Sequence, residues 1–213
     1  MNKDRLIIDQ AGFTNVYVSG CIINPETNQR TVGYGVFWGE RNEKNMKNGT
    51  RKNTSENNGE IIAASMALNQ VLKLNRLKRL CMNTRSNVLY AVLTHWIVKW
   101  KENNWRNESD GKKIRNCSSL KKLDKALNKV KERTEVIFNH IPLGNVHQNQ
   151  ADLLARTGAE HHCIVLANRT PKVKKKEKIA LVKQEIHSIL LENRTPEVKT
   201  ENVTLEKQEQ NII

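Results

Sequence analysis

Thr31-Val32-Gly33-Tyr34-Gly35-Val36-Phe37-Trp38-Gly39 is the stretch on which the fold turns. Its β-branched and aromatic residues predict a strand over Thr31–Trp38, and its two interior glycines leave room for another backbone to approach. Upstream, Val16-Tyr17-Val18 reads as a short strand. Downstream, Arg41–Asn58 is rich in Asn, Lys and Gly and holds a third strand with its turns. A helix follows, with Asn57 as its cap, Glu60 at the third helical position, and Ile61, Ala64, Leu68 and Leu72 on one face. Leu80-Cys81-Met82 reads as a buried strand, and Ser86 opens a helix that runs into a Trp- and Lys-rich stretch. Leu120, Leu123, Leu127 and Val130 form an amphipathic stripe. Glu135–Asn139 is a strand that Pro142 ends, and Asn149 caps a last helix with Asp152 at its third position. This order predicts an α/β fold: a five-stranded mixed sheet with helices on both faces, spanning residues 16–162 after an N-terminal extension over 1–15.

The 213 residues suffice for one domain and an appendage. Of the formal charge of +14, residues 1–163 hold 26 basic and 15 acidic side chains, so the excess sits on the part that folds. Such an excess suits a polyanionic partner, nucleic acid first; solubility charge is the plainer reading. Cys21, Cys81, Cys117 and Cys163 are scattered without a C-x-x-C pair, which argues against a zinc site and a disulfide framework. No apolar run has signal-peptide or membrane-spanning length.

Beyond Cys163 the composition becomes polar, charged and free of aromatics, as expected of a mostly disordered tail over 163–213. Asn168-Arg169-Thr170-Pro171-Lys172-Val173-Lys174 recurs nearly intact at Asn193–Lys199. Ile179, Val182, Ile186, Ile189 and Leu190 repeat at helical spacing, so a short helix over 176–191 is expected, with residues 179–190 offered to a protein partner. The basic run over 171–178 resembles a nuclear localisation signal, which makes the nucleus the expected location and the cytoplasm its alternative. Lys183 and Lys199 each sit in an apolar-Lys-x-Glu pattern that resembles a SUMO acceptor.

Several of these motifs, in this order, resemble cellular type 1 ribonuclease H. Val32–Gly39 is similar to its second strand, and Glu60-Ile61-Ile62-Ala63-Ala64 to the start of its first helix. Trp96, Trp100 and Trp105, interleaved with Lys99, Lys101 and Asn103, resemble its basic protrusion. Gly111-Lys112 with Asn116, His140-Ile141-Pro142, and Ala151-Asp152-Leu153-Leu154-Ala155 complete a likeness that covers Val16 to Glu160. The resemblance implies hydrolysis of the RNA strand of RNA–DNA hybrids by two divalent ions held by four carboxylates. Two cations a few ångströms apart stabilise the attacking and leaving oxygens, and anionic ligands must offset their repulsion.

At the four positions the resemblance marks, this chain reads Ser19, Glu60, Arg85 and Asp152. Ser19 stands in Val18-Ser19-Gly20-Cys21 where the family carries Asp, and Arg85 in Thr84-Arg85-Ser86 where it carries another. The loop Leu143-Gly144-Asn145-Val146 lacks the family's histidine, and His147 does not align with it. A serine hydroxyl is a poor magnesium ligand, and a guanidinium is a permanent cation that ligates no metal. The expectation is therefore no metal and no cofactor, with the two-magnesium site lost.

Plainer readings accompany the functional ones. Glu60 and Asp152, three residues after an Asn cap, would serve as capping-box or dipole partners. Arg85 would either grip a nucleic-acid phosphate bidentately or neutralise Glu60 or Asp152. Trp96, Lys99, Trp100 and Lys101 suit a groove for a nucleic-acid strand, against core packing for the tryptophans. The resemblance places Asn116 near a substrate phosphate and Asn57 on the hybrid-facing side, and sets Asn53-Thr54-Ser55 near a phosphate pocket whose arginine is missing here. His161-His162-Cys163 reads as a solvated helix end rather than a metal site. Three functions follow: an inactive ribonuclease H-like module that binds RNA–DNA hybrid or duplex, a protein-interaction scaffold using the surface and tail, and a residual nuclease.

Overall fold

The computed structural model describes residues 5–25, 30–51, 55–74 and 76–169. The expectations for the basic run 171–178, the helix 176–191 and the two lysine motifs lie outside the described residues, as do Asn53 and Thr54. Strands β1 (Ile7–Ile8), β2 (Thr14–Ile23), β3 (Thr31–Phe37), β4 (Met46–Thr50), β5 (Arg79–Thr84) and β6 (Glu135–His140) form one sheet. The five main strands run in the order β4-β3-β2-β5-β6, and β1 pairs with the start of β2. Pairing is antiparallel from β1 through β4 and parallel for β2–β5 and β5–β6, the mixed sheet that the element order predicts.

Period-two alternation on β2 divides the molecule into layers. Val16 and Val18 join Val36 and Trp38 under α1 (Glu56–Leu72) and α4 (Cys117–Lys131), with Ala64, Leu68, Leu123 and Leu127 filling the core. Tyr17 and Phe37 point the other way, to Ile141 and to Ala151 of α5 (Val146–Arg169). On the α1/α4 side, α2 (Asn87–Ala91), a π-helical turn (Val92–Trp96) and α3 (Ile97–Glu102) form one continuous helical path whose Leu89, Val92, Leu93 and Ile97 join the same core.

Two glycines bring both helices close enough to build a site on β2. A Cβ on Gly20 would lie 2.7 Å from the Gly59 carbonyl carbon and 2.9 Å from Cγ of Glu60. A Cβ on Gly35 would lie 2.6 Å from the Ala155 nitrogen. Any side chain at either position would push a helix away from the sheet.

Several boundaries differ from those read in the sequence. Part of the stretch expected as an extension over 1–15 is sheet: β2 starts at Thr14, and Asp9 turns the chain back by accepting from the Phe13 N–H at 2.9 Å. That N–H holds the Asp9 carboxyl below its ordinary range. Helix α1 starts after Ser55, whose extended backbone (φ −106°, ψ 145°) makes it the cap in place of Asn57; Glu60 therefore lies beyond any capping box. In α5 the cap is Asn145, not Asn149: its Oδ1 accepts from the N–H groups of His147 (3.1 Å) and Gln148 (3.0 Å). Helix α5 also passes residue 162 and ends at Arg169: Ala151, Ala155 and Ala159 keep one small face on the sheet, no proline intervenes, and Gly158 is tolerated where the helix meets the Asn48 backbone. His161 and Cys163 are thus mid-helix, and Cys163 Sγ lies 3.1 Å from Thr31 Oγ1.

Trp38 is fully buried and ties three elements together. Its Nε1 donates to Gln70 Oε1 at 2.8 Å, and Gln70 Nε2 donates to the Lys44 carbonyl at 2.8 Å. Trp38→Phe leaves the Gln70 oxygen without that donor and should cost about 1–2 kcal/mol in urea denaturation.

Candidate functional site

Strand β2 carries Ser19 on the α5 side, buried at 8% exposure. Helix α1 brings Glu60, the end of β5 brings Thr84 and then Arg85 and Ser86, and α5 brings Gln148 and Asp152. These residues line one cavity of about 140 Å³. All four positions singled out in the sequence therefore meet.

Every acid in the cavity is engaged by a donor. Ser19 Oγ donates to Asp152 Oδ1 at 2.7 Å, and Gln148 Nε2 reaches the same oxygen at 3.3 Å. The Arg85 guanidinium pairs with Asp152 Oδ2. Ser86 Oγ donates to Glu60 Oε2 at 2.5 Å and accepts from the Leu89 N–H at 3.1 Å, so the cap of α2 also binds the α1 acid. The Arg85 and Asp152 side chains are about one-third exposed (32% and 29%). Of the two roles open to Arg85 from sequence, the geometry is that of the neutralising ion pair. Asp152 is correspondingly an ion-pair partner in the second turn of α5 rather than part of a capping arrangement.

Gln148 was missed in the sequence. It precedes Asp152 by one turn on the same face, which is the only signal a sequence carries for it. It is 1% exposed, and its Nε2 also donates to the Val18 carbonyl at 3.0 Å. His147 does not enter the cavity; its ring packs on Tyr17 and Phe37, with centroids 5.2 and 6.0 Å away. His140 braces the cavity from β6, its Nε2 lying 3.0 Å from the Arg85 carbonyl.

A second cavity, of about 550 Å³, lies at the N-terminus of α4. Arg30, Ser55, Lys113, Arg115, Asn116 and Ser118 line it. Asn116 holds the left-handed conformation (φ 58°) and donates to Ser55 Oγ at 2.9 Å. Arg30 enters from the residue before β3 and supplies a cation that the sequence reading did not anticipate. Asn57 is exposed on the first turn of α1 and is not among the residues that line either cavity.

The tryptophans divide by burial. Trp96 is 40% exposed and leans on Trp100, ring centroids 5.6 Å apart; Trp100 and Trp105 pack against the core. Core packing therefore accounts for two of the three. Lys99 is exposed, whereas Lys101 Nζ lies 3.2 Å from Asp124 Oδ1, so its charge is shared with an acid. The Cys81 thiol is buried and pushed above its ordinary pKa by that burial, unlike a nucleophile. Among the described residues no helix is long and apolar enough to cross a membrane.

Comparison with known proteins agrees with the fold and the order of these elements. The RNase H family profile matches residues 12–160. Ribonuclease H1 of Rattus norvegicus is 31% identical over 147 residues, 68% of this chain and 50% of that protein. Ribonuclease H of Bradyrhizobium diazoefficiens is 31% identical over 147 residues, 67% of this chain and 87% of that one. The chain thus spans about half the length of the mammalian relative. Among solved structures, LC9-RNase H1, a type 1 RNase H with the type 2 active-site motif, superposes with a TM-score of 0.55 at 18% identity, covering 70% of this chain and 72% of the other. A foamy viral protease-reverse transcriptase in complex with RNA/DNA hybrid gives 0.57 at 17% identity, covering 75% and 22%. The two solved structures show the fold; the profile and the sequence relatives show more, and the chain belongs to the RNase H family.

Proposed function

We propose that this chain is a catalytically inactive RNase H-like protein that binds an RNA–DNA hybrid or another nucleic-acid duplex without cutting it. The observation that carries the reading is the Arg85–Asp152 pair inside the cavity where the family's acids converge. Two magnesium ions need several anionic oxygens free to coordinate them. Here Ser19 and Gln148 occupy one oxygen of Asp152, Arg85 the other, and Ser86 one oxygen of Glu60. A guanidinium cannot be deprotonated to make room, and a cation beside it would be repelled. The donor set does not fit the metal pair, and no hydrolytic step is derived through it.

Binding asks less of a fold than cleavage does. Trp96 offers an exposed ring, Lys99 an exposed ammonium, and the Asn116 cavity three cations beside a helix N-terminus for phosphate. Recognition by backbone and shape needs no more than these. Arg85, already neutralised by Asp152, is not counted among the phosphate contacts.

The test is a binding panel of hybrid, double-stranded DNA, double-stranded RNA and single strands with the full chain in magnesium buffer. Binding to a duplex form is expected, and failure to bind any of them contradicts the reading. Trp96→Ala should weaken binding about fivefold without changing its salt dependence, because the contact of an uncharged ring with the strand releases no counterions.

A further inference from the structure

Helix α4 has two faces of unequal kind. Leu120, Leu123, Ala126, Leu127 and Val130 are buried. At 3.6 residues per turn the opposite face gathers Ser118, Lys121, Lys122, Lys125, Asn128 and Lys129, all exposed. The helix contains a single acid, Asp124, and Lys101 Nζ (3.2 Å) and Asn128 Nδ2 (3.1 Å) both engage it. Among the described residues, Lys122, Lys125 and Lys129 make no ion pair. Lys121 lies 5.7 Å from the centre of the Trp105 ring.

Such a row works against the helix that carries it. Lys121 with Lys125, and Lys125 with Lys129, are like charges one turn apart, and such pairs destabilise a helix. Solubility does not call for the arrangement in a chain of formal charge +14, since the same cations scattered would serve as well. The face also bears no apolar side chain, whereas a protein interface needs buried apolar anchors and a helix lying on a membrane needs an apolar face. From Lys121 to Lys129 the helix rises about 12 Å. Over that length a duplex presents on the order of seven phosphate charges.

We infer that the outer face of α4 is a second nucleic-acid contact surface, where Lys121, Lys122, Lys125 and Lys129 neutralise the phosphates of a duplex without reading its bases. None of these lysines lines the Ser19–Asp152 cavity or the Asn116 cavity. The inference rests on the proposed function only for the choice of nucleic acid as the polyanion; the row itself is independent of the tryptophans and of the cavity.

The experiment compares the full-length wild type with the triple variant Lys122→Ala, Lys125→Ala, Lys129→Ala. The readout is the slope of log affinity against log salt for a 20-base-pair DNA duplex. Alanine is the better helix former and relieves the repulsion, so the variant should melt no lower than wild type, as circular dichroism will check. The slope should become less steep by about 2.7, or 0.9 per phosphate contact removed. A change smaller than about one unit overturns the inference. Polyglutamate that competes as well as the duplex does also overturns it, in favour of an acidic polypeptide. The two readings fail separately. If Trp96→Ala is silent while the lysine variant flattens the slope, the α4 surface stands and the tryptophan contact falls; the opposite pattern sinks the α4 surface alone.

Discussion

The double variant Ser19→Asp, Arg85→Asp should cleave the RNA strand of a hybrid in magnesium buffer on the order of 100-fold or more faster than wild type. The gain is electrostatic. Wild type presents a hydroxyl, two carboxylates and a guanidinium around a cavity of about 140 Å³. The two changes turn two anions and one cation into four anions on the same four backbone positions. They also free Asp152 Oδ2 from the Arg85 pair and leave Gln148, at 3.3 Å, as the remaining donor on Oδ1 once the Ser19 hydroxyl is gone. Neither single variant should suffice: Ser19→Asp leaves the guanidinium in place, and Arg85→Asp leaves only three acids. Gel analysis of a labelled RNA strand, with and without magnesium, checks the result. Residual slowness relative to active enzymes is expected, since the loop over Leu143–Val146 lacks the family's histidine and His147 is packed against Tyr17 and Phe37.

Asp152→Ala should destabilise the fold by about 2–3 kcal/mol, lowering the melting temperature by about 6 °C. It removes the acceptor of two hydrogen bonds and the partner of Arg85. Ser19 Oγ and one Gln148 contact lose their oxygen, and a guanidinium one-third exposed loses its counterion. Burial is incomplete, so the cost stays below that of breaking a fully buried pair. The sign is informative. Among four crowded carboxylates, removing one relieves repulsion and raises stability; with Arg85 in place the same change lowers it. Thermal and urea unfolding at neutral pH read the sign directly.

Much of this molecule was legible in its sequence because the strong signals are periodic. The glycines at 33 and 35, the alternation in Val16–Val18, and the Leu120–Val130 stripe each follow from one element's own pattern, and the sheet assembled as they imply. Ser19, Glu60, Arg85 and Asp152 converged because the order of motifs placed them on known positions of a known fold. Helix caps were read less well. Asn57 and Asn149 have the right chemistry, yet Ser55 holds the extended backbone before α1, and the Oδ1 of Asn145 accepts from the first N–H groups of α5. Several side chains satisfy the cap pattern within a few residues, and only tertiary packing selects among them. Contacts across long sequence separations were also hidden. Gln148 on Val18, Ser86 on Glu60 and Arg30 beside Asn116 join elements whose register no local pattern encodes.

The most direct measurement incubates wild-type protein with a labelled RNA–DNA hybrid in magnesium and then in manganese, with Glu60→Gln alongside. The RNA strand should stay intact at protein concentrations where the hybrid is fully bound, and the same holds for the variant. RNA cleavage by wild type that disappears in Glu60→Gln would contradict it.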